Sequence, residues 1–142
     1  MPIIQQASPN QIKPFSTVLQ PFLQQEGLPF AEILSAESIE QAFADRYGLF
    51  AQRDEQVYST AVVLWAFLAQ TLRDGKGASC GAAVADIATY ANQIGGSSPC
   101  GDTGDYCRAR AKLNLPALRE LVTMTADGLQ SQVDPDWLWL GR

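Results

Sequence analysis

Between Cys100 and Leu113 the chain reads Cys-Gly-Asp-Thr-Gly-Asp-Tyr-Cys-Arg-Ala-Arg-Ala-Lys-Leu. Arg108, Arg110 and Lys112 make this the densest run of positive charge in the chain, and cations so placed could hold a polyanion by its phosphates. On a helix turning about 100° per residue the three do not form one stripe. Tyr106 and Ala109, with Leu113, define an apolar arc, and Arg110 lies at its margin. Arg108 and Lys112, one turn apart, share the opposite face with Asp105. Arg108 and Lys112 are therefore the principal candidates for phosphate contact, with Arg110 and Arg119 as supports and Arg73 and Lys76 as outliers. Arg110 is expected to snorkel along apolar surface or to pair with an acid. The plainer account of Asp105 and Arg108 is an ordinary surface ion pair, worth less than about 1 kcal/mol.

Other chemistry finds little to work with. The chain has no histidine, which removes Cys–His zinc sites, His-activated nucleophiles and imidazole proton shuttles. Asp102 and Asp105 stand i, i+3 and could in principle approach a divalent ion, yet Arg108 is close and no third carboxylate follows in register. Asp102 reads better as the N-cap of a helix running from Asp102 to about Leu113, accepting from backbone N–H groups at the positive end of its dipole. Cys80, Cys100 and Cys107 include no Cys-x-x-Cys pair and read as reduced, partly buried thiols behaving as small hydrophobes. Cys107 sits near Arg108 and Arg110, a setting that lowers thiol pKa, but without histidine or a second partner it reads as packing. Gly75-Lys76-Gly77 lacks the spacing of a phosphate loop and is a turn. No catalytic residue, metal site or cofactor is predicted.

The elements that must position these side chains are helical throughout. With 142 residues, 46% apolar and 18% charged, the chain has the size and composition of one globular domain. Residues 1–11 are polar and read as a loose N-terminal segment, residues 12–133 as the helical domain, and residues 134–142 as a C-terminal segment. A stripe of Phe15, Val18, Leu19, Phe22 and Leu23 is interrupted by Pro21, which predicts a kinked helix or two short ones ending near Gly27. Pro29 starts a short helix, and Ser35 or Ser38 caps another through Ile39, Ala42, Phe43 and Tyr47, stopped by Gly48. The segment from Leu49 to Tyr58 is polar and reads as a loop. Ser59 then caps the most apolar helix, Thr60 to Leu72, whose side chains are hydrophobic all round, as befits the centre of a bundle. Ser79 caps a helix to about Ile94, ended by Gly95-Gly96. A last long helix starts at Asn114 or Leu115, with Leu118, Leu121, Val122, Thr125 and Leu129 expected inside. The fold class is an all-α, compact multi-helix bundle around the 60–72 helix.

Charge and length narrow the partners. The net charge of −5 counts against indiscriminate nucleic-acid binding, but its distribution is uneven. Residues 26–55 hold seven acids (Glu26, Glu32, Glu37, Glu40, Asp45, Asp54, Glu55) against Arg46 and Arg53, whereas residues 106–119 hold four cations and no acid. The longest apolar run, Ala61 to Ala69, is far short of the roughly 20 residues of a membrane span, and no signal peptide is evident, so a cytoplasmic protein with no membrane partner is expected. Two helices with the second one basic resemble a helix-turn-helix loosely, because the connection from Gly95 to Gly101 exceeds that motif's turn of about three or four residues.

Three passages carry a more specific likeness. They are Leu28-Pro29-Phe30-Ala31-Glu32-Ile33-Leu34; Val57-Tyr58-Ser59-Thr60 running into Leu64-Trp65-Ala66-Phe67-Leu68-Ala69-Gln70; and the Cys100–Leu113 stretch quoted above. In that order, and followed by Trp137-Leu138-Trp139, they resemble the N-terminal region of bacterial DDE transposases of the insertion-sequence-four family, over residues 28–142. The resemblance implies a helical region that helps to bind the inverted repeats at the ends of the element. In such enzymes an RNase-H-like domain with a metal-holding Asp-Asp-Glu triad follows, its first aspartate expected just beyond Trp139. The family's metal ligands have no counterpart up to Arg142, so no enzymatic activity is expected of this chain. What the resemblance carries over is a DNA-contact role for the Asp102–Leu113 helix, with double-stranded transposon ends as the partner. The rival reading is a protein-interaction or dimerisation module that pairs with itself or with a full-length transposase and inhibits it, favoured by Trp137, Trp139 and the acidic helices.

Overall fold

Serine side chains set where several helices begin. A computed structural model describes residues 15–44 and 57–132, and among them every regular element is helical. The elements are α1 (Phe15–Leu23), α2 (Ala36–Ala44), α3 (Thr60–Leu72), α4 (Cys80–Ile94), α5 (Gly104–Arg110) and α6 (Leu115–Gln132), with 3-10 turns at Pro29–Glu32 and Gly75–Ala78. The protein is an all-α helical bundle. Ser35 Oγ accepts from Ser38 N at 3.2 Å, Ser59 Oγ from Val62 N at 3.3 Å, and Ser79 Oγ from Ala82 N at 3.1 Å. Each bond satisfies one of the donors that a helix start leaves without an intrahelical partner. Gly95 closes α4 in the left-handed region at φ 71°, and Gly96 N returns to Ala91 O at 2.8 Å, satisfying carbonyls at the other end.

The interior is built on α3, which touches α2, α4, α5 and both 3-10 turns. Val63, Leu64, Trp65 and Ala66 are buried along it and share one continuous core with Ile39 and Phe43 of α2, Ile87 of α4, Tyr106 of α5 and, through α2, Ala117 and Leu121 of α6; Ala69 is buried as well. Burial of that many apolar side chains is the main stabilising term of such a fold. Trp65 also fixes the chain that crosses it: Nε1 donates to Leu34 O at 2.8 Å, and the indole meets Tyr90 edge-on at 5.8 Å. Phe22 packs edge-on against Phe30 at 5.0 Å, which seats α1 beside the first 3-10 turn.

Some expectations are corrected. The first amphipathic stretch forms one helix ending at Leu23, with Pro21 inside its last turn and Gly27 in a left-handed conformation at φ 85° beyond it. Asp102 does not cap α5. Thr103 occupies the cap position, while Asp102 Oδ1 accepts from Gly104 N at 2.8 Å, closing a turn ahead of a helix that is shorter than the 102–113 span. On α6, Leu121 is buried, but Val122 (68% exposed), Leu129 (59% exposed) and Thr125 face outward among the described residues. The apolar period there is real, yet no described element covers the helix beyond Met124. Cys80 and Cys107 are half-buried as expected, whereas Cys100 is exposed. The segment 1–11, the helix stop at Tyr47 and Gly48, the polar loop up to residue 56, and residues 134–142 with Trp137 and Trp139 lie outside the described residues.

Candidate nucleic-acid interface

Helix α5 has only two turns, too few to hold itself by hydrogen bonding alone, so its inner face decides where its outer face points. Inside, Tyr106 is fully buried (0% exposed) and Ala109 nearly so, with Leu113 half-buried in the turn that follows. The Tyr106 hydroxyl donates to Gln70 Oε1 at 2.8 Å, reaching across to α3. Arg110 Nη1 donates to the same oxygen at 3.1 Å, and its guanidinium carbon stands 5.8 Å from the Tyr106 ring centroid, within cation–π range. Gln70 Nε2 in turn donates to Ala78 O at 2.9 Å and towards Cys80 Sγ at 3.7 Å. Both ends of this one amide are used, joining α3, the second 3-10 turn, the start of α4 and α5.

Burial is the first reason that Tyr106 is a weak acid here, its pKa pushed up to about 12 against the partial opposition of Arg110. Tyr58, whose ring lies 6.3 Å from that of Tyr106, is likewise raised, by burial first and then by the nearby Asp105 carboxylate. Its hydroxyl is buried with no hydrogen-bond partner among the described residues.

The outer face of α5 carries Asp105 and Arg108, and Lys112, expected on the same helix face, lies instead in the turn after it. Arg108 donates to the Asp105 carboxylate, and both side chains remain open to water, at 71% and 55% exposure. Lys112 is exposed one turn further on, and Arg119 is exposed on α6. Neither Arg108 nor Lys112 lies beneath another helix. Of the two alternatives for Arg110 the first holds: it snorkels, and its partners are a neutral amide and an aromatic face instead of an acid. Arg73 is also directed inward, pairing with Asp86 and donating to Leu23 O at 2.8 Å, so that it ties α1 and α4 to the end of α3. Lys76 is exposed on the second 3-10 turn. Four cations of the 106–119 region thus divide into three that face water and one that faces the core.

Sequence reasoning missed Gln70. It is the one amide of α3, whose other polar residues are Thr60 and Thr71, and that was the available signal that something polar must meet it. No group of three or more His, Cys, Asp and Glu side chains that could hold a metal ion occurs among the described residues, and none of their helices is long and apolar enough to cross a membrane. Residues 95–103 separate α4 from α5, too long a link for a helix-turn-helix. No protein-family model, curated protein or solved structure matches the chain significantly.

Proposed function

We propose that this chain is a DNA-contacting domain of the kind found at the N-terminus of insertion-sequence-four transposases, binding double-stranded transposon ends and performing no chemistry itself. The observation that carries the reading is the exposure of Arg108 on α5 and of Lys112 in the turn directly after it, beside a helix whose other side is anchored in the core. Arg119 supports them from the adjoining helix. Phosphate contact by cations on and just after one short helix would fix the register of the domain on a duplex, with base reading left to neighbouring side chains.

The salt dependence follows from the count of contacts. Four cations would make log K fall with log salt at a slope of about −3.6; with Arg110 engaged by Gln70 the slope becomes about −2.7. The test is a mobility shift with duplexes selected from a randomised pool. Arg108→Ala combined with Lys112→Ala abolishes the shift. Binding that survives the double substitution overturns the proposal.

One observation favours the rival, a dimerisation module. Exposed Ile33 lines a groove of about 350 Å³ between the first 3-10 turn, the start of α2 and α6, together with Leu34, Leu121 and Met124. A dimer in light scattering, with no affinity for any duplex in the pool, selects that reading.

A further inference from the structure

Where the start of α4 meets α5 lies a pair of thiols that DNA contact does not use. Cys80 Sγ and Cys107 Sγ lie 3.6 Å apart, one on the first residue of α4 and the other in the middle of α5. We propose that Cys80 and Cys107 form a reversible dithiol–disulfide pair, in which Cys80 is the sulfur that attacks a hydroperoxide and Cys107 the sulfur that resolves the product.

Geometry carries the pairing. Closing the gap from 3.6 Å to the roughly 2.05 Å of a disulfide moves each sulfur by about 0.8 Å, a side-chain adjustment. Both residues are half-buried, which leaves access for a small oxidant.

The surroundings assign the two roles. Cys107 S–H, Gln70 Nε2 at 3.7 Å and Arg110 Nη1 at 3.7 Å all donate towards Cys80 Sγ, and no carboxylate is among its partners. Cys80 also stands at the N-terminus of a fifteen-residue helix, whose positive dipole end favours a negative sulfur. The Cys107 hydrogen bond, followed by Gln70 and the Arg110 charge, holds Cys80 below the ordinary thiol range, while the same bond pushes Cys107 up despite Arg110 and Arg108. One sulfur is set up as the thiolate and its neighbour keeps the proton.

The chemistry balances with a peroxide as the oxidant. The Cys80 thiolate attacks one peroxide oxygen and the O–O bond breaks, giving the sulfenic acid and hydroxide, which takes a proton from solvent. The Cys107 sulfur then attacks Cys80 Sγ, the S–O bond breaks, and the leaving hydroxide takes the Cys107 proton as water. Two thiols lose two electrons and one hydrogen peroxide becomes two waters. A dithiol reductant reverses the step by exchange.

The test is independent of DNA binding. The reduced full chain is treated with hydrogen peroxide, and its intact mass is expected to fall by about 2 Da, returning after dithiol treatment. Cleavage on the N-terminal side of aspartates places Cys80, Cys100 and Cys107 on three different fragments, residues 74–85, 86–101 and 105–126, and the expected product links the first to the third. Cys100→Ser keeps the link. Cys107→Ser stops at the sulfenic acid on Cys80, trapped by a cyclic 1,3-dione. A link that uses Cys100 in the native chain, or thiols that all stay reduced after treatment in either the native chain (three) or Cys100→Ser (two), overturns the proposal.

Discussion

Arg108 and Arg110 are the same residue type two positions apart on one short helix, and the two sides of that helix put them to opposite uses. Arg108 stands in water with a single exposed carboxylate as partner. Arg110 lies along the buried Tyr106 ring and shares Gln70 with the tyrosine hydroxyl. Charge density along a sequence therefore overstates what a surface offers: a cation whose nitrogen is engaged by the interior contributes to the fold before it contributes to a ligand. The inner side should be costly to alter and silent in binding assays, and the outer side the reverse.

The largest effect that separates the two sides is Tyr106→Ala, which removes the most voluminous fully buried side chain among the described residues. It is expected to cost about 3–5 kcal/mol, read as a lower denaturant midpoint, whereas Arg108→Ala changes stability by less than about 0.5 kcal/mol. Equal effects would erase the distinction between the faces.

A smaller effect sharpens the account of the inner side. Tyr106→Phe keeps the ring but deletes the bond to Gln70 Oε1, whose oxygen retains Arg110, for a cost of about 1 kcal/mol. The same variant changes the alkaline limb. Because the folded pKa of Tyr106 is raised to about 12 from an unfolded value of 10.0, its contribution is complete below pH 10 and is lost as pH climbs towards 12. Tyr58 acts in the same sense. Unfolding measured across that window should show a shallower decline in Tyr106→Phe than in the native chain; an unchanged decline would show that Tyr106 ionises as freely folded as unfolded.

The smallest effect concerns the outer side. Asp105→Asn releases Arg108 from its partner and removes a negative charge from the proposed contact face. Since such an exposed pair is worth under about 1 kcal/mol, duplex affinity should rise by no more than about fivefold, with stability nearly unchanged. Weaker binding would mean that Asp105 aligns Arg108 for the phosphate instead of competing with it.

How much of this was legible beforehand depends on whether a signal is local. Ser59, Ser79 and Gly95 delimit α3 and α4 where the sequence places them, because caps and stops act within one turn of the chain. The arc of Tyr106, Ala109 and Leu113 was also readable, since helical period alone separates it from Arg108 and Lys112. Val122 and Leu129 were not: their spacing is amphipathic, but what covers a stripe is decided by other elements. The Cys80–Cys107 approach and the Gln70 junction share that reason, joining positions 27 to 40 residues apart that only tertiary packing brings together. Asp102 misled because an aspartate before a helix serves a turn as well as a cap, and here the turn prevails.

The amide of Gln70 has a consequence for change over time. With its oxygen and nitrogen committed to partners on different elements, a roll of α5 would break several of these bonds together, so the helix is indexed like a key in its lock. Positions 105 and 108, which face water, can then be rewritten without disturbing that alignment. A lineage carrying this domain could swap its outer lettering, and so its preferred partner, on an unaltered mount.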